Sequence, residues 1–194
     1  MNHLGHLYLS PNNDDIILGT ILGDFVKGPI KTYDSYFNRS IMLHRKLDSF
    51  TDNNLEVKKS ALLINPSYRR YSGIIIDVFY DHFLSNNWAL FHRTPLKNFT
   101  EKIYNLINDR LSELPHAFQL VAPKMIKNDW LLLCKKKQNL ERVLVALGKR
   151  FKKEVDFSHS TKDLDRNYHK LEEHFFAFMP MAKSFCNEYY IKNF

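Results

Sequence analysis

Histidine and carboxylate side chains stand one helical turn apart in the first half of the chain. His44 and Asp48 are four residues apart in the segment Met42 to Asp52, MLHRKLDSFTD. Residues at this spacing lie on the same face of an α-helix, with roughly 5 to 6 Å between Cβ atoms. An imidazole and a carboxylate could therefore reach one metal ion. An isolated pair of this kind is also common as a weak surface ion pair, so the spacing alone leaves both interpretations open.

A second acidic and histidine-bearing stretch favours the metal interpretation. Asp77 and Asp81 are again four apart, and His82 follows directly in the segment DVFYDH. The surrounding residues, Tyr68 to Leu84, are largely apolar at helical spacing, which predicts a buried helix. A carboxylate in such a helix costs several kcal/mol unless it is paired, protonated or metal-bound. We therefore expect this helix to face a site that needs the two acids.

Two further groups lie near the start of the chain. A helix is predicted from the caps at Asn12 to Asp15 as far as Gly28, where Pro29 follows. Asp24 then falls near the negative C-terminal end of that helix, where a cation would compensate its charge. His6, in the opening HLGHLYL, is either a core histidine or a ligand of the same ion. Asp34 is predicted to cap the following helix, Ser35 to Phe50.

The rest of the chain predicts helices and no strand. The composition is 44% hydrophobic with only six glycines and seven prolines, which suits long continuous elements and a sizeable core. The expected fold is an all-α, single-domain bundle over residues 1–194. It would hold the metal site in 1–88 and provide helical support and a partner surface in 89–194. The C-terminal helix is predicted to be interrupted at Pro180.

The charge and the apolar runs restrict the class of protein. The net charge of +7 favours an anionic partner, whether nucleic acid, a phosphorylated small molecule or an acidic protein. The apolar runs are far shorter than the roughly 20 residues of a membrane helix, and the opening does not have the form of a secretion signal. We expect a cytoplasmic protein that does not contact a membrane. Cys134 and Cys186 form no CxxC motif and are predicted to be buried free thiols.

Mixed carboxylate and imidazole ligands suit Mn²⁺, with Mg²⁺ or Fe²⁺ as alternatives. Such an ion supports hydrolysis at phosphorus, because it acidifies water and neutralises a phosphoryl oxygen. Acid/base duties would fall to four of the ligands. The predicted catalytic residues are Asp24, His44, Asp48 and Asp81. The predicted metal ligands are Asp24, His44, Asp48, Asp77, Asp81, His82 and His6. The predicted residues for phosphate binding or partner docking are Lys27, Arg45, Arg69 and Arg70.

Four segments of the chain resemble the bacterial acyl carrier protein phosphodiesterases. They are NHLGHLYLS at the start, GDFVKG (Gly23 to Gly28), HRKLDSFTD (His44 to Asp52) and YRRYSGIIIDVFYDHFL (Tyr68 to Leu84). The resemblance covers the N-terminal half, in order, and the length of the chain also fits. The C-terminal half contributes only helical character.

The resemblance implies a divergent relative of the all-helical HD-type metal phosphohydrolases. The implied reaction is Mn²⁺-dependent cleavage of the phosphodiester that joins 4′-phosphopantetheine to a serine of holo acyl carrier protein, an acidic partner that a basic surface would attract. The adjacent pair Asp81-His82 reverses the usual His-Asp order, so the resemblance leaves the role of each residue open. Two other interpretations remain at this point. One is a related phosphohydrolase acting on a nucleotide or small phosphoester, and the other is a non-catalytic helical module that binds nucleic acid.

Overall fold

The computed structural model describes residues 1–30, 36–151 and 153–194, and every regular element within these ranges is a helix. The all-α prediction is confirmed. In chain order the α-helices are α1 His3–Leu9, α2 Asp14–Leu22, α3 Tyr36–Asn53, α4 Leu55–Leu62, α5 Ser72–Asn86, α6 Trp88–Phe91, α7 Leu96–Asp109, α8 His116–Gln119, α9 Ala122–Lys127, α10 Lys137–Gly148 and α11 Thr161–Asn193. Short 3₁₀ helices occupy Pro66–Tyr71, Leu111–Glu113, Leu133–Lys135 and Ser158–Ser160. Within the described ranges, no helix has both the length and the apolar character that crossing a membrane requires.

Helix α5 runs through the larger of the two apolar cores. Ile75, Phe79 and Phe83 are completely buried there and repeat at helical spacing. The helix packs against α1, α4, α10 and α11, so most of its faces are covered. This burial explains why its sequence is apolar on nearly every side. Its two acids, Asp77 and Asp81, both make contacts with the N-terminal segment that includes α1.

Helix α2 belongs to the second core and packs along α3. Asn13 begins it as a cap, because its side chain accepts a hydrogen bond from the Ile16 amide at 3.2 Å. The helix ends at Leu22, six residues before the predicted end at Gly28. The Gly23 amide donates to the Thr20 carbonyl at 3.2 Å, which tightens the last turn and lets the chain leave the helix axis. Asp24 therefore lies in a turn beyond α2.

Helix α1 is held at its N-terminal end by a side chain from α5. The Asp81 carboxylate accepts hydrogen bonds from the Leu4 and Gly5 amides, each at 3.0 Å. A Cβ atom on Gly5 would lie only 2.8 Å from the Met1 side chain and 3.0 Å from this carboxylate, so the close approach requires glycine. Asp81 thus satisfies two of the unpaired amides of a helix start. The orientation of α1, which carries His3 and His6, depends on that contact.

Several predicted boundaries are corrected by the structure. The helix predicted to open at Ser67 is divided into a 3₁₀ helix and α5, and residues 116–135 form two short α-helices and a 3₁₀ helix with a turn at Asp129. The predicted interruption at Pro180 is wrong, because α11 continues through it; the non-helical dihedral angles lie at Asn167 instead. Pro180 is exposed, so water can satisfy the carbonyl that its ring leaves unpaired. The predicted cap Asp34 lies outside the described residues.

Candidate metal centre

Two histidines and an aspartate from α1 and α3 converge at one point. One ligand atom from each of His6, His44 and Asp48 lies within 4.8 Å of the others. His44 Nε2 is 3.3 Å from Asp48 Oδ2, and His6 Nε2 is 2.9 Å from Asp48 Oδ1. The two imidazole rings are stacked, with centroids 3.8 Å apart and planes at 10°. The i, i+4 pair on α3 therefore meets a third group from a different helix.

The tautomer of His44 is set by the backbone of α2. Its Nδ1 lies 2.9 Å from the Thr20 carbonyl oxygen, which can only accept a hydrogen bond. Nδ1 must therefore carry a proton, and Nε2 is the atom directed at the carboxylates. A backbone carbonyl on the far nitrogen is the usual way in which proteins orient a metal-binding histidine. The contact leaves His44 Nε2 available as a ligand atom.

His6 is buried without the hydrogen bonds that a buried histidine normally makes. Only 3% of the residue is exposed, and neither ring nitrogen has a hydrogen-bond partner among the described residues. Nε2 approaches Asp48 Oδ1 to 2.9 Å, but the two groups lack the alignment of a hydrogen bond. Leaving a buried polar atom unpaired costs about 1 to 3 kcal/mol. This arrangement favours the interpretation of His6 as a ligand over that of a satisfied core histidine.

Asp24 and His3 extend the cluster on one side. Asp24 Oδ1 lies 3.6 Å from His44 Nε2, and its Oδ2 lies 3.1 Å from His3 Nδ1. The Asp24 and Asp48 side chains are 42% and 45% exposed, whereas His44 is only 3% exposed. The carboxylates thus form the accessible mouth of the site and the imidazoles its buried floor.

The charges in this cluster are strongly coupled. Burial alone would lower the pKa of His44, but Asp24 and Asp48 outweigh it and raise that pKa to about 9. Burial also opposes ionisation of the two carboxyls, yet contacts with histidines hold the pKa of each carboxyl well below its usual range. Burial and the neighbouring charge of His44 lower the pKa of His6 to about 4. At neutral pH the carboxylates are therefore ionised and His6 is neutral, which are the states that bind metal, whereas His44 is protonated in the metal-free fold and has to release its Nε2 proton when a cation binds.

The donor set fits a divalent cation of the Mn²⁺, Mg²⁺ or Fe²⁺ type. Two imidazole nitrogens and one or two carboxylates match a mixed nitrogen and oxygen site with room for water. A cation between them would give the nitrogens of buried His6 a partner and would offset the charge of the ionised carboxylates beside it. We therefore take His6, His44, Asp48 and Asp24 as the proposed ligand set.

Gly23 keeps the His44 ring in place by having no side chain. A Cβ atom at this position would lie 2.3 Å from His44 Cγ and 2.5 Å from its Nδ1. The backbone of Gly23 has helical dihedral angles, so the constraint is one of space and not of conformation. This contact gives a physical reason for the glycine in GDFVKG.

The remaining predicted ligands, Asp77, Asp81 and His82, are not among the converging ligand atoms, and none of them belongs to the proposed ligand set. Asp81 is directed at the amides of α1, and burial raises the pKa of its carboxyl to about 6. Asp77 Oδ1 lies 2.8 Å from the Met1 amino group. His82 Nδ1 is 2.7 Å from the Cys134 carbonyl oxygen, where α5 contacts the 3₁₀ helix Leu133–Lys135. Asp81 and His82 therefore support the fold around the site, and we leave both out of the proposed ligand set.

A cleft of about 470 Å³ opens over the carboxylates. Asp24, Asp48 and Asp77 lie in its wall together with Arg70 and Arg150. Arg70 is one of the residues predicted for phosphate binding, whereas Arg150 is not, although it stands in the basic run Lys149-Arg150. The basic run was a signal for Arg150, but the sequence does not show that α10 ends beside this cleft.

The other predicted basic residues do not line this cleft. Arg45 donates to the Val26 and Gly28 carbonyls at 2.7 and 2.9 Å, so its guanidinium holds the chain after α2. Lys27 and Arg69 are exposed and do not line this cleft. His3 was not predicted as a site residue. Its spacing was a usable signal, because His3 and His6 are three residues apart in HLGH and share a helix face.

Comparison with known proteins agrees with the resemblance of the four segments. The family model described as acyl carrier protein phosphodiesterase matches residues 1–182. The chain belongs to the acyl carrier protein phosphodiesterase family. A relative of that name from Pectobacterium atrosepticum is 33% identical over 182 residues, which cover 93% of this chain and 94% of the relative. Relatives of the same name from Enterobacter sp. and Photorhabdus laumondii are 34% and 30% identical, covering 93% and 98% of this chain.

The family match extends the resemblance beyond the N-terminal half. It includes α7 to α10 and most of α11, where the sequence had indicated only helical character. No solved structure matches the chain. The predicted relation to HD-type phosphohydrolases therefore stays a prediction, although an all-helical member of the acyl carrier protein phosphodiesterase family with histidine and aspartate on facing helices is compatible with it.

Proposed function

We propose that this protein hydrolyses the phosphodiester between 4′-phosphopantetheine and the serine of holo acyl carrier protein, using a divalent cation held by His6, His44, Asp48 and Asp24. The observation that carries the proposal is the convergence of His6, His44 and Asp48 within 4.8 Å, in a chain of the acyl carrier protein phosphodiesterase family. The oxygen of water adds to phosphorus, the bond from phosphorus to the serine oxygen breaks, and the serine oxygen takes up a proton. The products are apo carrier protein with a free serine hydroxyl and 4′-phosphopantetheine. Mn²⁺ is the expected ion.

Different residues around the site would bind the cation, the phosphodiester and the carrier protein. A divalent cation held by this ligand set would lower the pKa of water and would neutralise the charge that develops on the phosphoryl oxygens. Arg70 and Arg150 lie in the wall of the same cleft, where their guanidinium groups attract the phosphodiester. Asp24 and Asp48 need the cation in turn, because two ionised carboxylates would otherwise repel a phosphate. The net charge of +7 favours approach of an acidic carrier protein.

His3 is placed to exchange a proton during the reaction. Its Nδ1 contacts Asp24 at 3.1 Å, and the residue is largely buried at the edge of the site. His3 is not part of the proposed ligand set. Its ring therefore stays available to give a proton to the departing serine oxygen. The variant His3→Gln is expected to keep Mn²⁺ affinity and to lose roughly 10²-fold or more in kcat. A shifted pH profile of kcat would separate this role from a structural one, and an unchanged profile and kcat would contradict it.

Intact-protein mass spectrometry of holo acyl carrier protein tests the reaction directly. The carrier is incubated with this protein and Mn²⁺, beside an EDTA control, and the mass of the phosphopantetheine group is followed. We expect its loss with Mn²⁺, no loss with EDTA, and no loss with Asp48→Asn. The variant Asp109→Asn, which changes an exposed acid at the end of α7, is the matched control and should remain active. A carrier that stays holo with folded, Mn²⁺-loaded protein would overturn the assignment.

A further inference from the structure

A second cleft opens directly beside the carboxylate cleft. Its volume is about 430 Å³, within the range of roughly 300 to 1,000 Å³ typical of ligand pockets. The two clefts share Asn2, Leu147 and Arg150 in their walls. His3, which contacts Asp24 of the metal cluster, also lines the second cleft. A ligand whose phosphate lies over the carboxylates could therefore extend into this neighbouring space.

The wall of the second cleft combines three kinds of side chain. One part is apolar, another carries side-chain amides, and the rim is positively charged. The apolar residues are Trp130, Leu133, Val143 and Leu147; the amides are Asn2, Asn128 and Asn139; the cations are Lys124, Arg142 and Arg150. No acidic side chain lines it, in contrast to its neighbour. Such a wall suits a ligand that is apolar and amide-bearing along its length and anionic at one end.

The Trp130 side of the cleft is firmly positioned. Asp129 has a φ of +48°, an uncommon left-handed conformation that aspartate tolerates better than most residues. The Tyr104 hydroxyl holds this turn from both sides, donating to Asp129 Oδ1 and accepting from the Leu131 amide, each at 2.9 Å. The Trp130 ring stacks with His3 at a centroid distance of 6.3 Å. The cleft wall and the metal cluster are thus parts of one packed arrangement.

We propose that this second cleft binds the pantetheine arm of the substrate during cleavage, an inference that rests on the proposed function. The arm carries a gem-dimethyl group, which suits Trp130 and Leu147, and two amides, which suit the asparagine side chains. Its phosphate would lie near Arg150, where the clefts join. The carrier protein would then approach from the carboxylate side, and the released phosphopantetheine would leave from the second cleft.

Trp130 provides a direct readout of binding that does not depend on activity. The chain has two tryptophans, and the other, Trp88, is 4% exposed in the larger core. Pantetheine is titrated against the metal-free protein in EDTA while tryptophan emission is recorded. We expect saturable quenching or shift, lost in Trp130→Phe. Adenosine monophosphate serves as the competing probe, because a nucleotide would also stack on Trp130.

A filling substitution separates this cleft from the metal site. Ala146 lines the cleft on α10 and is exposed, so Ala146→Phe should narrow it without disturbing the core. Gln138→Phe places the same ring on an exposed, non-lining position of α10 and is the control. We expect Ala146→Phe to weaken pantetheine binding about tenfold or more and to lower kcat/KM for holo acyl carrier protein by a similar factor. Turnover of bis(4-nitrophenyl) phosphate, which has no arm, should be unchanged.

The outcomes distinguish this inference from the proposed function. If holo acyl carrier protein is cleaved normally by Ala146→Phe, or if pantetheine gives no Trp130 response, the arm site is wrong while the reaction stands. A Trp130 response to adenosine monophosphate alone also overturns it. If the protein does not cleave the carrier but binds pantetheine in a manner sensitive to Ala146→Phe, the proposed reaction fails and the cleft assignment stands.

Discussion

Replacing Gly23 by alanine should damage the metal centre through one methyl group. The backbone there is helical, so alanine brings no conformational strain. Its Cβ, however, would lie 2.3 Å from His44 Cγ, whereas ordinary contact begins at about 3.4 Å. The ring would have to retreat by the difference, about 1.1 Å. It is confined by the 2.9 Å hydrogen bond to Thr20 and by the 3.8 Å stacking on His6, so one of these contacts must give way.

The expected magnitude follows from the role of those contacts. Loss of a group that orients a metal-binding histidine typically weakens metal affinity by about 10- to 100-fold. That range corresponds to roughly 1.4 to 2.7 kcal/mol of binding free energy. Overpacking also lowers the free energy of unfolding of the metal-free protein by about 1 to 3 kcal/mol. Isothermal titration with Mn²⁺ and denaturant unfolding in EDTA measure the two effects separately.

Another glycine in the same region provides the matched control. A Cβ atom on Gly73, in the first turn of α5, would meet only the Asp52 carboxylate at 3.7 Å, an ordinary contact. Gly73→Ala should therefore leave Mn²⁺ affinity unchanged and stabilise α5 by up to about 1 kcal/mol. In a His44→Ala background, Gly23→Ala should no longer destabilise the protein, because the ring it strikes is gone. Unchanged Mn²⁺ affinity of Gly23→Ala, or an equal loss of stability in both backgrounds, would refute the steric argument.

Three further predictions concern pH, the support of α1 and the C-terminal helix. The pKa of His44 is raised from 6.5 to about 9 in the metal-free fold. Protonation of His44 therefore raises the free energy of unfolding by about 3 kcal/mol below pH 6.5, and this stabilisation is lost as the pH rises through 9. Unfolding titrations in EDTA should show the loss of stability in the wild type and a smaller loss in His44→Ala. Asp81→Asn should lower the free energy of unfolding by about 1 to 3 kcal/mol, because the single amide oxygen cannot accept from both α1 amides. A thermal midpoint equal to that of the wild type would contradict the capping role. Pro180→Ala should raise the free energy of unfolding by up to about 3 kcal/mol, since α11 is continuous there and proline removes a hydrogen bond; calorimetry would detect an unchanged midpoint if the prediction is wrong.

Much of the site could be predicted from local spacing. The i, i+4 relation of His44 and Asp48 depends only on α-helical geometry, and the apolar periodicity that carried the helical prediction is equally local. The segments that resemble the acyl carrier protein phosphodiesterases identified the family before any coordinates, and the family match confirms it over residues 1–182. These results needed no knowledge of which helices pack together.

Tertiary packing decided which acids and bases share the site. Asp81 and His82 have the same residue types as the proposed ligands, yet Asp81 caps α1 and His82 contacts the Cys134 carbonyl. Their roles depend on where α1 and Leu133–Lys135 lie against α5, and spacing within α5 cannot express that. His3 and Arg150 lie far apart in the sequence, and only the packing of the helices brings both to the wall of one cleft. A sequence pattern defines the face of one helix, whereas a binding site is made where several faces meet.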